Sequence, residues 1–410
     1  MSFRNALITL TLVVFGLMAV YLVWRLVSVR RNPTTNDPEN LTPFLDDDGL
    51  EGPRLERALG WSLIFVMIVA LALPLYFLFE PSRQDDLAEH FDEQAVERGA
   101  ILYANSESKE YDAAKSLLCA NCHGVDGQGG QAPFVLQPEL DICDVLENQG
   151  NPDVPECLPV QVVWTAPALD TVLLRFPEEE VFQILTWGRP GTPMPAWGVE
   201  SGKGVLNTQS IDDLVAYLDS IQISKDDAQK RSTKEVIAFR LSAKENLEQQ
   251  EIGVTTAKAN LAKLRTDPKS TPAAIGEAEA EVASQEAIAA SAKEWADQVA
   301  DMGEGEVLFR LNCARCHTKG ASYFDPNNLA LPPPSPSGSG AFGPNLTGGS
   351  TLVQFPGGAG VQEQFDWVAR GAPANEGYGI RGISSGRMPY FVNMLSEKQI
   401  KAIVAYERGL

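Results

Sequence analysis

Two short stretches of this 410-residue chain carry side chains spaced for covalent cofactor chemistry: Cys119-Ala-Asn-Cys122-His123 and Cys313-Ala-Arg-Cys316-His317. Thiols separated by two residues can add across the two vinyl groups of a haem as thioethers. The histidine that follows then reaches the iron, and this C-x-x-C-H spacing reads as c-type haem attachment. C-x-x-C alone also serves as a zinc half-site or a redox dithiol. A histidine after both copies favours haem, so two covalently bound haem c groups are expected.

The second axial ligand decides what such an iron can do. The chain has three histidines, His90, His123 and His317. Two are used in the motifs, so bis-histidine ligation of both irons within one chain is arithmetically impossible. Met194, in GRPGTPMPAWG, lies 71 positions after His123, and Met388, in GRMPYF, lies 71 positions after His317. A buried methionine is usually core filling. Here the shared spacing and the following proline favour ligation, with His123, Met194, His317 and Met388 as the iron ligands; Met302 and Met394 are the other methionines of the last domain. Met/His ligation raises the potential and closes the iron to substrate. The expected function is single-electron transfer with no catalytic residue. A dihaem peroxidase or a haem-based ligand sensor is the alternative, and either needs an iron that opens a site.

Helices must hold these groups. Asp92–Tyr103 and Ser210–Ile221 have helical spacing around the first motif, with Ser210 as expected N-cap. Residues 124–160 are rich in Gly, Pro and Asn and read as loop. The stretch GEGEVLFRLN leads into the second motif, and Ser396–Glu407 closes the chain with Ser396 as N-cap. Between them, residues 223–301 lack Cys and His. Lys234–Arg265 and Ala273–Ala300 read as two antiparallel helices closed by TDPKSTP. Apolar positions there include Val236, Phe239, Leu247, Val254, Leu261 and Leu264. The hairpin reads equally as a docking arm for a partner subunit or as a spacer.

Ala6–Trp24 and Trp61–Phe79 are uncharged, and each is long enough to span a bilayer as a helix. The intervening loop carries Arg25, Arg30, Arg31, Arg54 and Arg57, which puts it in the cytoplasm. Everything after Glu80 is then extracytoplasmic. Cys143 and Cys157 read as a disulfide, which suits an oxidising compartment, or as two buried free thiols. The expected organisation is an anchor over 1–81 with membrane helices at about 6–24 and 61–79, haem domains over 92–222 and 302–410, and the hairpin over 223–301. The expected location is a bacterial cell membrane, multi-pass. The net charge of −21 argues against nucleic acid. Residues 92–222 hold 6 Lys/Arg and 21 Asp/Glu, a net of −15, whereas residues 302–410 hold 9 and 8, a net of +1. Such a field steers a basic partner, a basic cytochrome c for example, or serves solubility alone.

Each motif-bearing segment resembles a class I cytochrome c domain. The resemblance implies an all-α fold in which an N-terminal helix crosses the C-terminal helix at a glycine and an aromatic. The matching residues are Gly99 and Tyr103 against Tyr217, and Gly305 and Phe309 against Tyr406. It also implies a proline carbonyl that accepts from the proximal histidine, matched by Pro167 in TAPALD and Pro344 in FGPNLTG. The first segment departs from the pattern in having Ala104–Leu118 between the aromatic and the first cysteine. Two membrane helices followed by two such domains resemble the dihaem subunit of cbb-type haem–copper oxidases. Dihaem cytochrome c subunits of bc-type quinol reductases share the paired domains with different anchoring. Respiratory-complex subunits are thus the partners implied, with the hairpin foreign to either pattern.

Overall fold

A computed structural model describes residues 13, 14, 16–21, 23, 24, 27, 51–136, 159–324, 337–371 and 373–410. The chain divides into two compact units, Met1–Asp86 and Leu87–Leu410. In the first unit, the described residues of the first apolar run are helical. The rest of that run and the loop through residue 50 lie outside the described residues. The second run belongs to α1 (Pro53–Tyr103). Its apolar window has a mean hydropathy of 2.6 and none of it is buried against protein. Among the described residues this is the one helix long and apolar enough to cross a membrane. The polar stretch 80–92 continues the same helix, past Pro74 and Pro81.

In the second unit, the last turns of α1 start a bundle. The first motif forms the single turn α2 (Ala120–His123). It leads into β1 (Gly130–Leu136), which pairs antiparallel with β2 (Val160–Ala166) from Gly130↔Ala166 to Leu136↔Val160. The structure is mostly helical, as expected, but these strands correct the expected all-α fold in part and the loop reading over 124–160 at its described residues 130–136 and 160. The run VQVVWTA is rich in β-branched and aromatic residues that suit a pleated surface. Pro133 is tolerated because β1 is an edge strand. The segment 137–158, with Cys143 and Cys157, lies outside the described residues, and the expected disulfide with it.

Then come α3 (Val172–Arg175), α4 (Glu178–Trp187) and α5 (Thr208–Ser220). Asn207, not Ser210, caps α5: its side chain accepts from the Ser210 N–H at 2.9 Å. The helix begins one turn earlier than its apolar periodicity indicates, because Thr208 and Gln209 are polar but helical. Tyr103, Val172, Val181, Leu185, Ile211, Leu214 and Leu218 form the core of this bundle. α1 crosses α5 at Gly99, where a Cβ would lie 2.0 Å from the Asp213 carbonyl oxygen, so only glycine allows the approach. Arg98 clamps the crossing with two 2.7 Å bonds to Asp213.

The hairpin consists of α6 (Lys225–Thr266) and α7 (Pro272–Asp301), capped by Ser224 and Thr271. Pro272 takes the first turn of α7, where its missing N–H costs nothing. Leu261 and Ala278 are buried along the seam, and Lys258–Glu286 and Arg265–Glu279 pair across it at 2.7 Å each. The base of the hairpin is not free-standing. Val236, Ala243 and Val299 belong to the core of the second bundle, with Phe239 and Trp295 packed on it. Arg231 of α6 binds Asp170 of the first bundle at 3.0 and 2.5 Å.

The second bundle comprises α8 (Glu304–Asn312), α9 (Ala314–His317), β3 (Tyr323–Phe324), α10 (Ser350–Gln354), α11 (Gly357–Arg370), the small ribbon β4 (Gly377–Tyr378) and β5 (Gly382–Ile383), and α12 (Glu397–Glu407). α8 crosses α12 at Gly305, where a Cβ would lie 2.1 Å from the Ala402 carbonyl oxygen. The rings beside the two crossings, Tyr103–Tyr217 and Phe309–Tyr406, sit 5.1 and 5.3 Å apart. Ser396 caps α12 in a reciprocal capping box with Gln399. β3 adds to β2 through Val163↔Phe324 and Trp164↔Tyr323, so one three-stranded sheet joins the two bundles.

Candidate functional site

In each motif one helical turn positions the three reactive side chains. The His123 N–H donates to Cys119 O at 3.0 Å, and the His317 N–H to Cys313 O at 3.0 Å. The turn therefore carries both thiols and the imidazole on one short rigid segment. The Tyr103 hydroxyl donates to Gly124 O at 2.7 Å, fixing the first motif to α1. At the second motif, the Gly343 N–H donates to Cys316 O at 2.7 Å, and the glycine backbone lies against the His317 ring, where a Cβ would meet Cε1 at 2.8 Å.

The two imidazoles are held alike. His123 Nδ1 is 2.9 Å from Pro167 O and His317 Nδ1 is 2.9 Å from Pro344 O. A carbonyl can only accept, so each Nδ1 carries the proton and each Nε2 keeps its lone pair for a metal. Burial lowers both histidine pKa values, more than the proline carbonyls raise them. Burial also pushes the Cys119 thiol up to about 12 and raises Cys122, Cys313 and Cys316. Burial thus favours the un-ionised thiols. Among the described residues no group of three or more His, Cys, Asp or Glu could hold a metal ion.

Met194 lies in the loop between α4 and α5, partly buried on the core of the bundle that holds His123. Its carbonyl accepts from the Arg189 N–H at 3.1 Å, and its N–H donates to Thr192 Oγ1 at 3.2 Å. Met388 follows β5 and packs partly buried on the core of the bundle that holds His317. Met394 packs there too, while Met302 is buried at the end of α7. His90 is exposed on α1.

Sequence reasoning missed what lies between the motifs. The Tyr390 N–H donates to Arg175 O at 2.8 Å, so the segment after Met388 docks on α3 of the other bundle. The Arg175 guanidinium donates to Ala168 O, next to the Pro167 carbonyl that orients His123. Trp164 packs between Tyr323 and Phe342 at 5.3 and 6.1 Å. Its indole N–H is buried without an acceptor. The only linear signals were Arg315 inside the second motif and Arg189 ahead of Met194. An orphaned buried donor, singly protonated and oriented imidazoles and paired un-ionised thiols fit an anionic, thioether-linked haem.

The sequence model of one family, described as cytochrome C oxidase, cbb3-type, subunit III, matches residues 300–406. That segment contains the second motif, Pro344 and Met388, and the match supports a cytochrome c domain with haem-based electron transfer there. The first motif lies outside it. Comparison with curated proteins and with solved structures gives no match.

Proposed function

We propose that the chain is a membrane-anchored dihaem c-type cytochrome that passes single electrons on the extracytoplasmic side of a bacterial membrane, as a subunit of a respiratory complex. The observation that carries this reading is the repetition of one geometry. Both C-x-x-C-H turns aim a singly protonated, part-buried imidazole through a 2.9 Å contact to a proline carbonyl. Bound haem supplies the ferrous–ferric couple. The chain's residues orient it: His123 and Met194 would hold the first iron, His317 and Met388 the second. Thioether bonds from Cys119, Cys122, Cys313 and Cys316 would fix each group in place.

The family match favours a cbb-type oxidase over a quinol–cytochrome c reductase as host. The exposed apolar face of α1 supports the anchor, since an unburied helix of that hydropathy needs a lipid environment. Haem content is the direct test. The denatured chain is expected to keep two haem masses in mass spectrometry, and Cys119→Ala with Cys122→Ala to leave one. A single covalent haem in the unaltered chain removes the dihaem reading.

A further inference from the structure

The base of the hairpin meets the first bundle at the loop that orients His123. That loop runs from Pro167 to Thr171, between β2 and α3. Its Pro167 carbonyl lies 2.9 Å from His123 Nδ1. Three residues on, the buried Asp170 carboxylate accepts from both arms of the Arg231 guanidinium, at 3.0 and 2.5 Å. Arg231 stands in the second turn of α6. A charged side chain of the inserted hairpin thus reaches the segment that presents the histidine's acceptor.

The rest of the loop is bonded through its backbone. The Leu169 and Asp170 N–H groups donate to Gly127 O at 2.6 and 3.0 Å. Gln222 Nε2 donates to Leu169 O at 2.7 Å and the Ile223 N–H to Asp170 O at 2.9 Å. These two residues lead directly into α6, so the start of the hairpin already lies on the loop. The same helix is fixed to the second bundle, where Gln229 Nε2 donates to Leu395 O at 3.4 Å and Val236 joins the core. An exposed ion pair would hold little. Here the carboxylate is buried, and removing one partner leaves an uncompensated buried charge, which is strongly destabilising. Relief requires the loop to open to water, and Pro167 moves with it. The two parallel bonds of the guanidinium also fix direction as well as distance.

We propose that Arg231 is a positioning residue for the first haem: through Asp170 it holds the Pro167 carbonyl on His123 Nδ1. The base of the hairpin thereby sets the hydrogen bond of the first iron's histidine. This rests on the proposed dihaem reading. A firmly held acceptor fixes the orientation of the ring and raises its basicity as a ligand. The device belongs to one haem. The counterpart loop, FGPNLTG around Pro344, has no acidic residue for such a clamp.

The test uses the full haem-loaded chain in detergent. The sequence has three histidines, so isotopic nitrogen labelling of histidine gives readable ring signals in the diamagnetic ferrous state, with His317 as internal control. Solvent exchange of the Nδ1 protons is measured by NMR, alongside thermal unfolding, for the unaltered chain, Arg231→Gln, Arg231→Lys and Asp170→Asn. Exchange is preferred to potential because the glutamine variant leaves an anion and the asparagine variant a cation, with opposite effects on the iron. Both are expected to speed His123 exchange about tenfold or more and to leave His317 unmoved. Arg231→Lys, which keeps the charge but loses the fork, falls between. A role in stability alone lowers the melting temperature and leaves His123 protected. Unchanged His123 exchange in Arg231→Gln or in Asp170→Asn, or equal acceleration at both histidines, overturns the proposal. Where a variant loads no first haem, the unaltered chain decides. In low urea, exchange of the α6 amides from Ala228 to Ser232 and of the His123 Nδ1 proton is expected to rise together. A His123 proton that stays protected while those amides exchange overturns the clamp. Haem mass counts the cofactors independently, so failure of the clamp is distinguishable from failure of the dihaem reading.

Discussion

Glu407, the last residue of α12, is 4% exposed, so its carboxyl should report on pH. Among the described residues its one side-chain partner is Gln364, whose Nε2 donates to Oε2 at 2.9 Å. The neighbouring Arg408 instead bonds Gln364 Oε1 at 3.1 Å and Phe355 O at 2.9 Å. Burial raises the Glu407 pKa from 4.5 to about 7, against the weaker lowering by Gln364. The folded chain thus keeps a proton that the unfolded chain releases between those values. Stability is full below about 4.5, falls as pH rises to about 7, and levels off above it. At about 1.4 kcal/mol per pH unit, the loss is about 3 kcal/mol. Glu407→Gln retains the shape and an acceptor for Gln364 but cannot ionise. The variant is expected to match the parent near pH 4 and to exceed it by about 3 kcal/mol near pH 8. Hydrogen exchange of the α12 and α8 amides, corrected for intrinsic rates, reads this opening energy locally. A parent opening energy that is flat across this range, or a variant no more stable near pH 8, refutes the reasoning.

Other residues give equally direct tests. Gly305→Ala would put a methyl 2.1 Å from Ala402 O, forcing α8 and α12 apart. The expected cost is about 1–3 kcal/mol or more, seen as a lower melting temperature, and an unchanged melt argues against the close crossing. Met194→Ala is expected to abolish the iron–methionine charge-transfer band of the first haem and lower its potential, whereas an unchanged spectrum rejects Met194 as ligand. Glu178, Glu179 and Glu180 occupy the first turn of α4 in the acidic segment. If they steer a basic cytochrome c, its stopped-flow electron transfer slows as salt shortens the screening length below about 8 Å, and their replacement by Gln flattens that dependence; salt-independent rates end the idea.

What the linear sequence determined is whatever depends on near neighbours. Two cysteines and a histidine on one helical turn define their chemistry within five residues. A run of uncharged residues sets the length of α1. The breaker before Pro272 separates α6 from α7, and Ser396 with Gln399 starts α12, since helix ends are settled by side chains three residues away. Tertiary structure decided everything that needs distant residues to meet. β1 becomes a strand only by pairing with β2 some thirty positions on, and β3 joins them only when Tyr323 arrives beside Trp164, so the Gly- and Pro-containing run GQAPFVL reads as loop by itself. Asp170 finds Arg231 across 61 positions. Glu407 looks like an ordinary helix-surface carboxylate until Gln364 and the core of its bundle cover it. The segment after Met388 meets α3 of the other bundle only through a backbone bond from Tyr390 to Arg175. Charge balance and desolvation are properties of the packed volume, and no local spacing encodes them.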